Sequence, residues 1–150
     1  MIIRQANYKD ISRLAEIFDL YRQFYGQRSD IQGAETFLQN RMEHMQSIIF
    51  IAETKENDSF AGFTQLYPVF SSISMQRSYI LNDLYVREEF RKKGIAKLLI
   101  GEAKKFTLSN LGKGLELSTA ADNQQARSLY EKEGFVKESE FLTYFWKAVL

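Results

Sequence analysis

At 150 residues the chain has the length of one domain, and folding at that size buries about 70% of the surface the unfolded chain exposes, enough for a self-sufficient core. Hydrophobic residues make up 45% and charged residues 26%, which excludes a disordered chain, and a formal net charge of +1 argues against a general binder of nucleic acid or of membrane surfaces. There is no cysteine, so disulfides, thiolate nucleophiles and Cys-ligated metals are excluded and any thiol chemistry must come from a ligand.

Met1 to Gln5 reads as a first strand. It carries no basic stretch followed by an apolar one, and no apolar run approaches the ~18 residues of a membrane span, so a cytoplasmic location is expected. Asn7 can cap a helix, with Asp10 in its first turn, and Ile11, Leu14, Ala15, Phe18, Tyr21 and Tyr25 then recur at helical spacing. Gly26 ends this helix, Ser29 or Asp30 starts another, and Ala34, Phe37, Leu38, Arg41, Met42 and Met45 form its stripe, with Arg41 the polar interruption. His44, the only histidine, lies late in that helix without partner ligands for a metal, so a surface or helix-end role is expected of it and no metal site anywhere.

Ile48 to Glu53 is an apolar, β-branched run, Lys55 to Asp58 reads as a turn, and Phe60 to Tyr67 is strand-like again, making a hairpin. Pro68 interrupts the pattern, Ser71 to Ser78 reads as a loop, and Tyr79 to Val86 resumes a strand. A helix begins near Gly94, with Ile95, Leu98, Leu99, Ala103 and Phe106 on one face. Leu115 to Thr119 is a short strand, Asp122 or Asn123 caps a helix carrying Ala126, Leu129 and Tyr130, and Gly134 sits at its C-terminal cap. Phe135 to Val149 is expected to supply one or two closing strands, and its dense aromatics suit a core strand, a dimer edge, or both. No repeat or linker divides the chain, so 1–150 reads as a single α/β (α+β) domain with a mixed, largely antiparallel sheet flanked by helices, in the order β-α-α-β-β-β-α-β-α-β-β.

The turn Arg91-Lys92-Lys93-Gly94-Ile95-Ala96 between strand and helix has the character of an anion site. A helix start presents unpaired N–H groups and about half a positive charge, glycine permits close approach, and Arg87, Arg91, Lys92, Lys93 and Lys97 surround it. A solvated basic surface is the competing reading, although cations at a helix N-terminus oppose its dipole. A pyrophosphate suits the turn.

The strand ending Asp83-Leu84-Tyr85-Val86, then Arg91-x-x-Gly94-x-Ala96, then Asn123-x-x-Ala126-x-x-Leu129-Tyr130-x-x-x-Gly134-Phe135, resembles the Gcn5-related N-acetyltransferase (GNAT) superfamily. Neither G-x-G-x-x-G nor a P-loop pattern competes with it. Ala96 stands where many members have glycine. The resemblance covers essentially the whole order of elements and implies that acetyl-CoA lays its pyrophosphate on the amides of Lys92 to Ala96, with Arg91 screening the charge. It also implies pairing of the pantetheine arm with Leu84, Tyr85 and Val86, where two strands splay, and contact of Asn123 with the pantetheine amides.

Tyr130 matches the family position near the thioester sulfur, and a phenol with a reference pKa near 10 suits a proton donor to a departing thiolate. A half-buried packing role beside Leu129 is the alternative. The acceptor amine must lose a proton before attack, and Asp83 is the candidate base, with ammonium anchor and structural carboxylate as equal alternatives; Asn82 cannot be a base. Phe24, Tyr25, Tyr67, Phe70 and Tyr85 are candidates to line an acceptor pocket, against core packing. The resemblance thus implies an acetyl-CoA-dependent N-acetyltransferase moving acetyl to a primary amine of a small molecule by direct attack in a ternary complex, working as a homodimer. A protein N-terminal or lysine acetyltransferase, and a non-catalytic CoA-binding sensor, are the alternatives.

Overall fold

The first residues of the chain pair immediately: β1 (Ile2–Gln5) runs antiparallel to β2 (Ile48–Glu53), which pairs with β3 (Phe60–Ser71), and β3 with β4 (Gln76–Val86). A fifth strand, β5 (Leu115–Glu116), lies parallel to β4, so the sheet order is β1-β2-β3-β4-β5. Helices α1 (Ile11–Phe24) and α2 (Ile31–Glu43) connect β1 to β2, α3 (Ile95–Ser109) connects β4 to β5, and α4 (Gln124–Lys132) follows. A computed structural model describes residues 1–55 and 59–149. The chain forms two compact units, Met1–Ser118 and Thr119–Leu150.

In the first unit the caps follow the residues that favour them. Asn7 and Asp10 form a capping box on a single 3-10 turn, Tyr8–Asp10, that leads into α1. Asp30 caps α2 by accepting from the Gly33 amide at 2.9 Å, while Ser29 donates instead to buried Asp19. Gly26, at φ 84°, takes the left-handed conformation that ends α1, and the Gln27 amide reaches back to the Arg22 carbonyl.

Alternation along β2 divides the core into two layers. Ile49 and Ile51 face Leu14, Ile17 and Phe18 of α1 and Leu38 of α2, whereas Phe50 turns to the other face and meets Phe106 of α3 edge-on at 5.8 Å. The sheet is therefore covered on both sides, which is why β2 is apolar from Ile48 to Ala52 rather than alternating. Each fully buried aliphatic or aromatic side chain contributes roughly 1.5–3 kcal/mol.

The β3–β4 hairpin is longer than the sequence pattern implies. Val69↔Ser78, Phe70↔Arg77 and Ser71↔Gln76 all pair, so half of the expected Ser71–Ser78 loop is strand and only residues 72–75 turn. Pro68 is tolerated because β2 has already ended, at Ile48↔Leu66, and a residue without an N–H fits a strand edge. The expected turn at Lys55 to Asp58 falls largely outside the described residues.

In the second unit Asn123, not Asp122, caps α4, and Gly134 closes it at φ 86°. The closing strands expected between Phe135 and Val149 do not form among the described residues. A strand requires a neighbouring ladder, whereas the Ser139 and Glu140 amides of this segment bond locally to the Glu138 carboxylate. Phe141, Leu142, Tyr144, Phe145 and Trp146 are exposed.

Candidate active site

Gly94 is the N-cap of α3 in the left-handed conformation, φ 78° and ψ 7°, and Lys92 just before it also has a positive φ of 60°. These two residues fold the main chain sharply from β4 into the helix. No side chain caps α3, and its first main-chain bond runs from the Leu98 amide to the Gly94 carbonyl, so the amides at the start of the helix face a potential anion. Ile95 is buried and anchors the turn, which leaves its main chain as the group able to meet a ligand. Arg87 fixes the other end, bonding the Ala61 carbonyl through its amide at 2.9 Å and the Phe60 carbonyl through Nε at 2.8 Å.

The cations of the turn are partly committed. Arg91 donates through Nε to the Val86 carbonyl at 2.9 Å, and its guanidinium lies over the rings of Phe24 and Tyr85 at 5.7 and 5.6 Å. Lys93 donates to the Glu89 carbonyl at 3.0 Å. Both remain exposed, as do Lys92 and Lys97.

Strands β4 and β5 pair only at Tyr79↔Leu115 and Ile80↔Glu116. Beyond that point the ladder of β4 is with β3 alone among the described residues, so Leu84, Tyr85 and Val86 present a main-chain edge. A bulge at Asn82 separates the pairs Leu66↔Leu81 and Gln65↔Asp83. The extra residue shifts the register where the strand reaches Asp83.

Asp83 is 3% exposed. Its Oδ2 accepts from Gln65 Nε2 at 2.5 Å, its Oδ1 from Asn82 Nδ2 at 2.8 Å, and the Tyr21 hydroxyl donates to it as well. Burial pushes its pKa above the ordinary carboxylate value, and the three donors oppose that rise. Tyr21 and Tyr67 are driven far above an ordinary phenol, first by burial and then by the negative charge of Asp83. A carboxylate in this setting holds a proton more readily than a solvated one and attracts a cation.

An aromatic wall stands beside it. Tyr21 contacts Tyr25 at 5.1 Å and Tyr85 at 6.3 Å, and Phe24 contacts the same two rings at 5.3 and 6.3 Å. Of the aromatics expected around an acceptor, Phe24, Tyr25 and Tyr85 are thus brought together, and Tyr67 lies within electrostatic reach of Asp83. Phe70 instead sits near the hairpin end under Arg77, at 5.4 Å. Gln65 and Tyr21 were missed as site residues because only strand register and helix packing carry them to Asp83.

Asn123 and Tyr130 belong to the second unit. Asn123 Oδ1 accepts from the Ala126 amide at 3.1 Å. Tyr130 is half-buried, with its ring edge-on to Phe135 at 5.9 Å, and the Phe135 amide bonds the Tyr130 carbonyl at 3.0 Å. His44 ends α2 with Nδ1 2.8 Å from the Asn40 carbonyl, and among the described residues no group of three His, Cys, Asp or Glu side chains is placed to hold a metal.

Residues 14–135, most of the chain, match the acetyltransferase (GNAT) family. The chain belongs to that family. The GNAT chain is 50% identical over 144 residues to a Bacillus subtilis (strain 168) protein named uncharacterized N-acetyltransferase YhfO, covering 96% of this chain and 95% of that one. It is 36% identical over 135 residues to a probable acetyltransferase of Haemophilus influenzae, covering 90% of each. A crystal structure of a probable acetyltransferase superposes with a TM-score of 0.94 at 38% identity and 99% coverage of both chains. The same fold, at 19% identity and a TM-score of 0.77, occurs in a predicted acetyltransferase of Clostridium acetobutylicum solved with acetyl-CoA, covering 96% of this chain and 95% of that one. The protein is therefore an acetyltransferase of GNAT type, and among its described residues no helix is long and apolar enough to cross a membrane.

Proposed function

We propose that this acetyltransferase moves an acetyl group from acetyl-CoA to a primary amine of a small molecule, by direct attack within a ternary complex and with 1–150 acting as one catalytic domain. The observation that carries the reading is the buried Asp83 carboxylate, ringed by Gln65, Asn82 and Tyr21, on the same strand as the open edge at Leu84 to Val86. An uncapped helix start behind a left-handed glycine, with four exposed cations around it, fits a pyrophosphate. The main chain of Lys92 to Ala96 would hold that group with Arg91, while the edge of Leu84, Tyr85 and Val86 and the Asn123 side chain would hold the pantetheine amides.

Acetyl-CoA supplies an acyl thioester, which an amine attacks only in its neutral form. Asp83 serves this requirement by drawing the ammonium to the site and accepting its proton, since burial raises its basicity above that of an ordinary carboxylate. Tyr130 is assigned as proton donor to the departing sulfur. The aromatic wall of Phe24, Tyr25 and Tyr85 gives the acceptor apolar contact and excludes water. A cytoplasmic homodimer completes the proposal, with light scattering as its check.

The decisive measurement is release of free thiol from acetyl-CoA across a broad panel of amines. Small primary amines are expected to support turnover at higher kcat/KM than peptides bearing a free N-terminus or a lysine. Protection against heat by acetyl-CoA with no thiol release from any amine would replace this reading with a non-catalytic CoA-binding module.

A further inference from the structure

Arg41 is the polar interruption in the apolar stripe of α2. Phe37, one turn earlier, stacks on Phe18 of α1 at 5.7 Å, which seats this face of α2 against α1, and the Arg41 guanidinium lies over Phe37 at 4.9 Å. Its Nε is buried without a hydrogen-bond partner, and among the described residues Arg41 forms no ion pair. A buried donor left unpaired costs stability, so a guanidinium in this state calls for an explanation.

An open cleft of about 510 Å³ runs along α2 from Asp30 past Gly33, Phe37 and Asn40 to Arg41. It contains none of the residues expected from the sequence to bind donor or acceptor. Arg41, at one end of it, lies near enough to Tyr67 of β3 for its charge to act on that phenol. Phe63 points toward α1, meeting Phe18 and Tyr21 at 6.0 and 5.8 Å, and alternation puts Gln65 and Tyr67 on that same face. Gln65 holds Asp83, and the Tyr67 phenol feels Asp83 and Arg41 with opposite sign. A negative and a positive group thus flank one tyrosine.

We propose that the acceptor amine also carries a carboxylate, and that Arg41 binds it. This inference rests on the proposed function and names the substrate class. The planar guanidinium fits a carboxylate through the parallel N–H donors of its terminal nitrogens, and Arg41 lines the cleft. A carboxylate suits the cleft better than a phosphate because one cation faces it, while Asp30 at its far end adds negative charge. Asp83 repels the carboxylate end and attracts the ammonium, so the two charges orient the acceptor in one direction. Protein N-termini, which carry no carboxylate next to the amine, are disfavoured on the same ground.

The test compares free α-amino acids with their carboxamides, at equal concentrations of neutral amine, by acetyl-CoA-dependent thiol release. The wild-type protein is expected to prefer the free acid by about tenfold or more in kcat/KM. Arg41→Gln should bring the ratio toward one, chiefly through KM, and Arg41→Lys should restore part of it, with melting temperatures confirming that the variants fold. Equal use of acid and amide by the wild type, or an unchanged ratio in Arg41→Gln, overturns the inference and leaves the proposed function standing. Absence of thiol release from every amine overturns both.

Discussion

Gln65 donates its side-chain amide to Asp83, its direct partner in the β3–β4 ladder, while its own Oε1 is buried without a partner. Because that bond stabilises the ionised form, Gln65→Leu should push the Asp83 pKa higher still. On the proposed mechanism the acid limb of the kcat/KM profile then moves to higher pH. Asp83→Asn should abolish the limb and lower kcat/KM by about 10²-fold or more. An unmoved limb in Gln65→Leu would detach Asp83 from the proton transfer.

Tyr130→Phe tests the other proton. Loss of the hydroxyl should lower kcat by about 10²-fold with little change in the KM for acetyl-CoA, and the deficit should shrink with a donor whose leaving thiol is more acidic. Wild-type turnover at every pH would return Tyr130 to a packing role against Phe135.

Gly94→Ala probes the turn. A Cβ there would touch nothing within 4 Å, so the penalty comes from φ 78° alone, about 1–2 kcal/mol. For a chain of this size that lowers the melting temperature by roughly 2–8 °C. The KM for acetyl-CoA should rise in parallel if the turn holds the pyrophosphate.

Away from the site, Asp10 forms bonds of 2.8 Å with both terminal nitrogens of Arg4 and one of 3.3 Å with Arg13, and Glu53 joins the two arginines. Arg4 holds the Asp10 pKa down to about 2. A depressed carboxylate stabilises the fold above its unfolded value near 3.9 and loses that contribution as pH falls through 2. Denaturant titrations should show on the order of 1–2 kcal/mol lost over that interval, after discounting for the partly exposed guanidiniums, and Asp10→Asn should flatten the loss. Asp83 has the opposite sign: with its folded value raised, its contribution is present below the unfolded pKa and is lost as pH rises through the folded one.

What local chemistry writes into adjacent residues was legible in the sequence. The cap at Asn7, the choice of caps that included Asp30 and Asn123, the helix-ending glycines 26 and 134, and most of the helix stripes follow from spacing, whereas Met45 falls beyond the end of α2 and the left-handed turn at Gly94 was not foreseen. The extent of β3 past Pro68 was not, because it depends on where β2 ends. Asn82 gave no sign of its bulge, which exists only as a count against β3. The surroundings of Asp83 were hidden for the same reason: Tyr21 and Gln65 are 62 and 18 residues away along the chain, and only packing joins them. The aromatic run from Phe141 to Trp146 suggested strand by composition, yet composition supplies no ladder.

Arg91 is shared. It closes the turn by bonding Val86, and it also rests on Phe24 and Tyr85, two rings of the wall beside Asp83. On the proposed function, negative charge bound at the turn would compete with those rings for the same guanidinium and so weaken its hold on the wall. On the proposed function this favours a sequence of substrate addition, donor before acceptor. Initial-rate patterns, with the free acceptor failing to bind the protein alone, would register a kinetic order written in one side chain.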